Sequence, residues 1–171
     1  MIPENIPDRF THAVLVTGSR SWDDEATMRQ TFNQIWAMWP DTGPRRPVLL
    51  SGNCPRGADA MAERLWQDAG FEIVHFPADW SKHGRSAGPK RNAQMVDAAQ
   101  VFRDSGAQVV CAAFIDHCDK TGCTRRHQQL LPQITGHFSH GAIHCRGLAQ
   151  KAGLTVVDTV AVSSAAYQHS S

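Results

Sequence analysis

Short apolar runs that each stop at a small, polar turn and then give way to an amphipathic segment recur along this chain. That alternation restricts it to an α/β fold built on a parallel sheet. His12-Ala13-Val14-Leu15-Val16-Thr17 ends in Gly18-Ser19-Arg20, and Val48-Leu49-Leu50 ends in Ser51-Gly52-Asn53, followed by Arg56-Gly57-Ala58-Asp59. Gly88-Pro89-Lys90-Arg91-Asn92 and Ser139-His140-Gly141-Ala142 form two further turns of this kind. In a parallel sheet the carboxyl ends of the strands share one edge. Ligands bind there beside helix N-termini, whose free N–H groups and partial positive charge suit phosphate. The pattern alone points to a binder of nucleotides or sugar phosphates.

The expected strands are His12 to Thr17, Val48 to Ser51, Phe71 to Phe76, Val109 to Ile115 and Leu154 to Val157. A first helix is expected from Asp23 or Asp24, which are good capping residues. Its positions Met28, Phe32, Ile35, Trp36 and Trp39 follow the 3.6-residue period, and Pro40, Gly43 and Pro44 end it. A second helix is expected from about Ala58 to Ala69, with Gly70 closing it. A third should open at Pro89, after a loop of residues 77–88 that contains Trp80, Lys82, His83 and Arg85. A fourth should follow Gly141 and end at Gly153. Residues 1–10 read as a flexible arm and 163–171 as a flexible tail. Residues 11–162 read as one domain with an irregular Cys/His-containing insertion at 116–139. The predicted architecture is a Rossmann-like three-layer α/β fold with a mostly parallel five-stranded sheet flanked by helices.

Composition narrows the partners. A net charge of +1 over 171 residues leaves no broad basic surface, so nucleic acid is not an expected partner and anion binding must come from a local site. No apolar run approaches the roughly 20 residues of a membrane span. The opening Met1-Ile2-Pro3-Glu4-Asn5 lacks the basic and apolar regions of a secretory signal. With five cysteines, an odd number, a cytoplasmic location with free thiols is expected.

Each motif has a functional and an ordinary reading. Gly18-Ser19-Arg20 is either a phosphate-binding turn or a plain βα turn with a surface Arg; Gly-x-Gly-x-x-Gly is absent. Asp59 is either a carboxylate for a ribose hydroxyl or an acidic residue favoured by the dipole of its helix. Arg85, Lys90 and Arg91 gather at a helix start, where cations are disfavoured without an anion between them. Cys118 and Cys123, with His127 and His137, offer the right ligand types for zinc, and His117, His140 and Cys145 lie nearby. The spacing matches no strong zinc signature.

Taken together, Val16 to Trp22, Ser51-Gly52, Arg56-Gly57-Ala58-Asp59, Gly88-Pro89-Lys90-Arg91-Asn92-x-x-Met95 and His140-Gly141-Ala142 resemble the YspA, cpYpsA-related branch of the SLOG superfamily. That superfamily is distantly similar to the LOG phosphoribohydrolases and the DNA-processing protein DprA. The resemblance covers most of residues 12–158 and implies a sheet-edge pocket for nucleotides or nucleotide-derived signals. It implies ligand contacts from Gly18, Ser19, Arg20, Ser51, Gly52, Gly57, Ala58, Asp59, Lys90, Arg91, Asn92, His140, Gly141 and Ala142. Arg91 matches an Arg that LOG hydrolases carry. Their Gly-Gly-x-Gly-Thr-x-x-Glu segment is altered here: Ala142 replaces the Thr and Cys145 the catalytic Glu.

The leading expectation is therefore a cytoplasmic protein that senses, sequesters or processes a nucleotide-derived ligand, in the setting of phage–bacteria conflict where the resembling family occurs. No cofactor is required for this. One alternative is a hydrolase of an N-glycosidic bond, with Asp59, Glu63, His144 or Arg91 as catalytic candidates. Another is an interaction module stabilised by zinc at Cys118, Cys123, His127 and His137. Trp36, Met38 and Trp39 put more apolar surface on the first helix than one face needs, and LOG-like proteins pair through helices, so a homodimer is expected.

Overall fold

The computed structural model describes residues 7–161. Seven strands and five α-helices lie along it. They are β1 (His12–Gly18), α1 (Glu25–Met38), β2 (Pro47–Ser51), α2 (Ala58–Asp68), β3 (Glu72–His75), α3 (Trp80–His83), α4 (Ala87–Asp104), β4 (Gln108–Ile115), β5 (Gln128–Leu131), β6 (Ile134–Gly136), α5 (His140–Lys151) and β7 (Thr155–Val160). The main sheet has five strands in the order β3-β2-β1-β4-β7, and every pairing in it is parallel. The expected α/β architecture is the observed one.

Burial explains the order. The central strands β1, β2 and β4 are buried along almost their whole length, as strands covered on both faces must be. β3 and β7 are half exposed and occupy the edges, where polar side chains such as Glu72 and His75 discourage further pairing. The two-residue alternation divides β1 between two cores. Ala13 and Leu15 pack with Met95, Phe102, Cys145 and Ala149 from α4 and α5. Val14 and Val16 pack with Met28, Ile35, Ala62 and Trp66 from α1 and α2. This makes the three layers.

The chain runs outward from β1 through β2 to β3, then returns to place β4 on the other side of β1. The connections diverge between β1 and β4. A crevice opens at such a reversal, outside the carboxyl ends of the strands.

Several boundaries differ from expectation for local reasons. Asp24 is the residue that caps α1, accepting from the Thr27 backbone N–H at 2.9 Å. α4 begins two residues before Pro89. Proline fits its third position because the first four N–H groups of a helix have no partner within it. Lys90 and Arg91 are thereby the fourth and fifth residues of α4 rather than its first turn. The expected loop 77–88 holds α3, capped by Asp79, whose carboxylate accepts from the Lys82 N–H at 2.9 Å. The insertion is not irregular throughout: β5 and β6 form an antiparallel hairpin. Residues 7–10 are not a loose arm. Pro7–Arg9 form a 3-10 turn and Phe10 is buried against Phe102, ring centroids 6.1 Å apart. The rest of the expected arm, and the tail at 163–171, lie outside the described residues. No helix among the described residues is long and apolar enough to cross a membrane.

Candidate functional site

The crevice is a cavity of about 890 Å³. Its floor is the end of β1, with Val16, Thr17 and Gly18, and the start of α2, with Asp59. One wall is α4, through Gly88, Arg91, Asn92 and Met95, with Trp80 and Arg85 at the rim. The opposite wall comes from the insertion and α5: Cys118, Asp119, Lys120, Arg125, His140, Gly141 and His144. Arg20, Arg56, Arg85, Arg91, Lys120 and Arg125 all reach the cavity, against two carboxylates, Asp59 and Asp119. In a chain whose net charge is only +1, this is a local concentration of positive charge.

Asp59 is 6% exposed and sits 3.8 Å from the Arg91 guanidinium. It also accepts from the Cys54 N–H at 3.3 Å. Burial pushes its carboxyl up to about 6, with the Arg91 charge and the Cys54 hydrogen bond pulling the other way. Arg91 donates through Nη1 to the Gly52 carbonyl and through Nε to Asn92 Oδ1 at 3.0 Å. The Asn92 amide then donates to the Gly141 carbonyl and to His144 Nδ1, both at 3.2 Å. With Nδ1 accepting, neutral His144 carries its proton on Nε2. One polar chain thus crosses the cavity from the β2 turn through α4 to α5.

Other expected contact residues support the cavity from behind. Ser19 is buried; its Oγ accepts from the Asp116 N–H at 2.8 Å and its carbonyl accepts from Ala58 N–H at 3.1 Å, tying the turns after β1 and β4 to α2. Ser51 donates to Glu63 Oε1 at 2.6 Å, and Glu63 lies 3.3 Å from His75, so Glu63 is held outside the cavity. Ala58 and Ala142 are buried in the core. Gly52 lies under the Arg91 side chain, and a Cβ there would overlap the guanidinium. Gly57 has φ +73°, and a Cβ would run into the Ser19 carbonyl and the Arg20 backbone. Lys90 is exposed, 3.1 Å from His83 Nδ1, and away from the cavity lining. The cavity therefore gathers Gly18, Arg20, Asp59, Arg91, Asn92, His140, Gly141 and His144, but not Ser19, Ser51, Gly52, Gly57, Ala58, Glu63, Lys90 or Ala142.

Cys145, expected from the resemblance to stand in place of a catalytic Glu, is fully buried, and burial pushes its thiol up to about 11. It is a neutral core thiol. Lys120, Arg125 and Asp119 carry no local sequence signal for the site, because only the fold of the insertion brings them to the sheet edge. Trp80 and Arg56, present in the segments above without an assigned role, also line it.

All five cysteines are free. Four metal-ligand atoms gather at the base of the insertion, from Cys118, Cys123, His137 and His140, all within 4.8 Å of one another. The expected set is corrected at one position. His127 is exposed and stacks on His137 with ring centroids 6.2 Å apart, while His140, at the first turn of α5, completes the group.

A family model described as YspA, cpYpsA-related SLOG family matches residues 12–83, which run from β1 through α3. The chain is also 35% identical over 153 residues to the Gene 61 protein of Mycobacterium phage D29, an overlap of 85% of this chain and 94% of that protein. No solved structure matches the chain. On the family match and this near full-length relative, the chain belongs to the YspA, cpYpsA-related SLOG family.

Proposed function

We propose that the chain binds a nucleotide or nucleotide-derived signalling molecule in the cavity between β1 and β4, as a sensor, sequestering protein or processing factor. The supporting observation is the convergence of six cationic side chains on one cavity at the topological switch point. The volume of about 890 Å³ suits a nucleotide-sized ligand. Phosphate would lie among Arg20, Arg56, Arg91, Lys120 and Arg125, near the N-terminus of α5, where backbone N–H groups lack helical partners. Trp80, 53% exposed at the rim, offers a flat apolar face for a base. Asp59 would accept from a ribose hydroxyl. Similarity to a phage protein is compatible with a phage-related role, and phage–bacteria conflict is the setting proposed for it.

The test is thermal denaturation with a nucleotide panel that includes AMP and ADP-ribose. A ligand specific to the folded state raises the melting temperature. No rise with any nucleotide at millimolar concentration would refute the proposal.

Asp59 favours a second reading. A carboxyl near 6 in a cavity is matched to proton transfer close to neutral pH. Hydrolysis of an N-glycosidic bond would use Asp59 as acid or base, with His144 as a second candidate elsewhere in the lining. Cys145 and Glu63 have no part in this reading, one being a neutral core thiol and the other held outside the cavity. Chromatography of AMP incubated with the protein decides: free adenine supports hydrolysis, and intact AMP supports binding alone.

A further inference from the structure

We propose that Cys118, Cys123, His137 and His140 bind one structural zinc ion, and that this ion fixes the cationic wall of the cavity. The distances match the metal. Cys123 Sγ lies 3.4 Å from both His137 Nε2 and His140 Nε2, and the two nitrogens are 3.0 Å apart. A zinc tetrahedron with Zn–N of about 2.0–2.1 Å and Zn–S of about 2.3 Å places its nitrogens about 3.3 Å apart and sulfur about 3.5 Å from nitrogen.

The backbone is arranged to present this set. His117 and Phe138 pair in an antiparallel bridge, and the Cys118 N–H donates to the His137 carbonyl at 2.8 Å, so two ligands face each other across the base of the insertion. Gly122, at φ +66°, turns the chain back, and the Cys123 N–H donates to the Lys120 carbonyl at 3.2 Å. His140 brings in the first turn of α5. The ligands thus join the insertion to the helix start that borders the cavity. The insertion contributes little apolar packing of its own: Leu130 and Phe138 are its buried hydrophobics. Two thiolates neutralise a divalent ion, so the positive charge of Lys120 and Arg125 remains available to the cavity. Four protein ligands close the coordination sphere, which makes the site structural rather than hydrolytic.

Only the consequence for the cavity rests on the nucleotide proposal; metal content is read without any nucleotide. The full chain is purified without chelator and its metals are measured by mass spectrometry. The expected result is about one zinc per chain, with cobalt substitution producing the absorption of a tetrahedral thiolate site. Cys123→Ser and His137→Ala should each lower zinc to roughly a tenth or less, whereas His127→Ala should retain it. Wild-type protein that neither carries zinc nor takes up Zn²⁺ or Co²⁺ overturns the site, whatever the variants do. Zinc lost in His127→Ala but kept in Cys123→Ser overturns this ligand set. The wall role is tested by titrating AMP into chelator-stripped protein: affinity about tenfold weaker than in the zinc form is expected, and equal affinity would overturn that role.

Discussion

Asp59 and Arg91 define the chemistry of the cavity at the scale of single residues. The Asp59 carboxyl is raised to about 6 by burial, from an ordinary value of 3.8. Its contribution to stability is fully present below the unfolded value and is lost as pH rises through about 6, where the folded protein must ionise a buried group. The displacement corresponds to about 3 kcal/mol. Asp59→Asn should remove this slope, so urea midpoints between pH 4 and pH 7 should converge on a flatter profile than wild type. Identical profiles would show that Asp59 titrates normally. The charge of Asp59 should also oppose a bound phosphate, so AMP affinity in wild type should fall more steeply above pH 6 than in Asp59→Asn. Arg91 is the counter-charge to Asp59 as well as a lining residue. Its replacement by Ala should weaken nucleotide binding by roughly ten- to a hundredfold, the loss of a charge-assisted hydrogen bond of about 1.5–3 kcal/mol. Lys should recover only part, because it cannot form the planar two-pronged contact. Circular dichroism of both variants controls for the buried pair. Arg91 and Asp59 were legible in the sequence as types and positions, but their contact was not, because they sit on different helices.

Elements were legible in proportion to their burial. β1, β2 and β4 announce themselves because strands buried on both faces are continuous apolar runs. The β5–β6 hairpin left no such trace: in Gln128-Gln129-Leu130-Leu131 one residue is buried, too few for a period to show. The early start of α4 was hidden by Ala87-Gly88-Pro89, a string that reads as loop until the helix is seen to accommodate it. The metal-ligand group was legible in composition but not in membership. His127 is nearer to Cys123 in sequence than His140 is, and only the fold of the insertion decides which one faces Cys123. The turn into α2 carries the clearest elemental prediction. Gly57 combines φ +73° with backbone contact to the turn after β1. Gly57→Ala should therefore cost roughly 2 kcal/mol or more, from backbone strain and overpacking together. A urea midpoint equal to wild type would show that the turn relaxes freely.

Across the whole molecule, the α1–α2 face and the carboxyl edge of the sheet lead to different expectations. On the α1–α2 side, Trp36 stacks on Phe71 with centroids 5.9 Å apart, each remains about a third exposed, and Met38 is 53% exposed beside them in sequence. Trp39, expected on the same surface, is buried against His12 instead. A homodimer that covers Trp36 and Phe71 is expected. Light scattering should give twice 18.8 kDa at micromolar concentration, and a single-chain mass would reject it. At the carboxyl edge, the cationic cavity between β1 and β4 is the proposed nucleotide site. The most direct test is calorimetric titration of AMP and ADP-ribose into the wild-type protein and into Arg91→Ala. Wild type should show saturable binding at one site per chain, greatly weakened in the variant. Silent titrations of wild type with both nucleotides, or equal affinity in the two proteins, would contradict it.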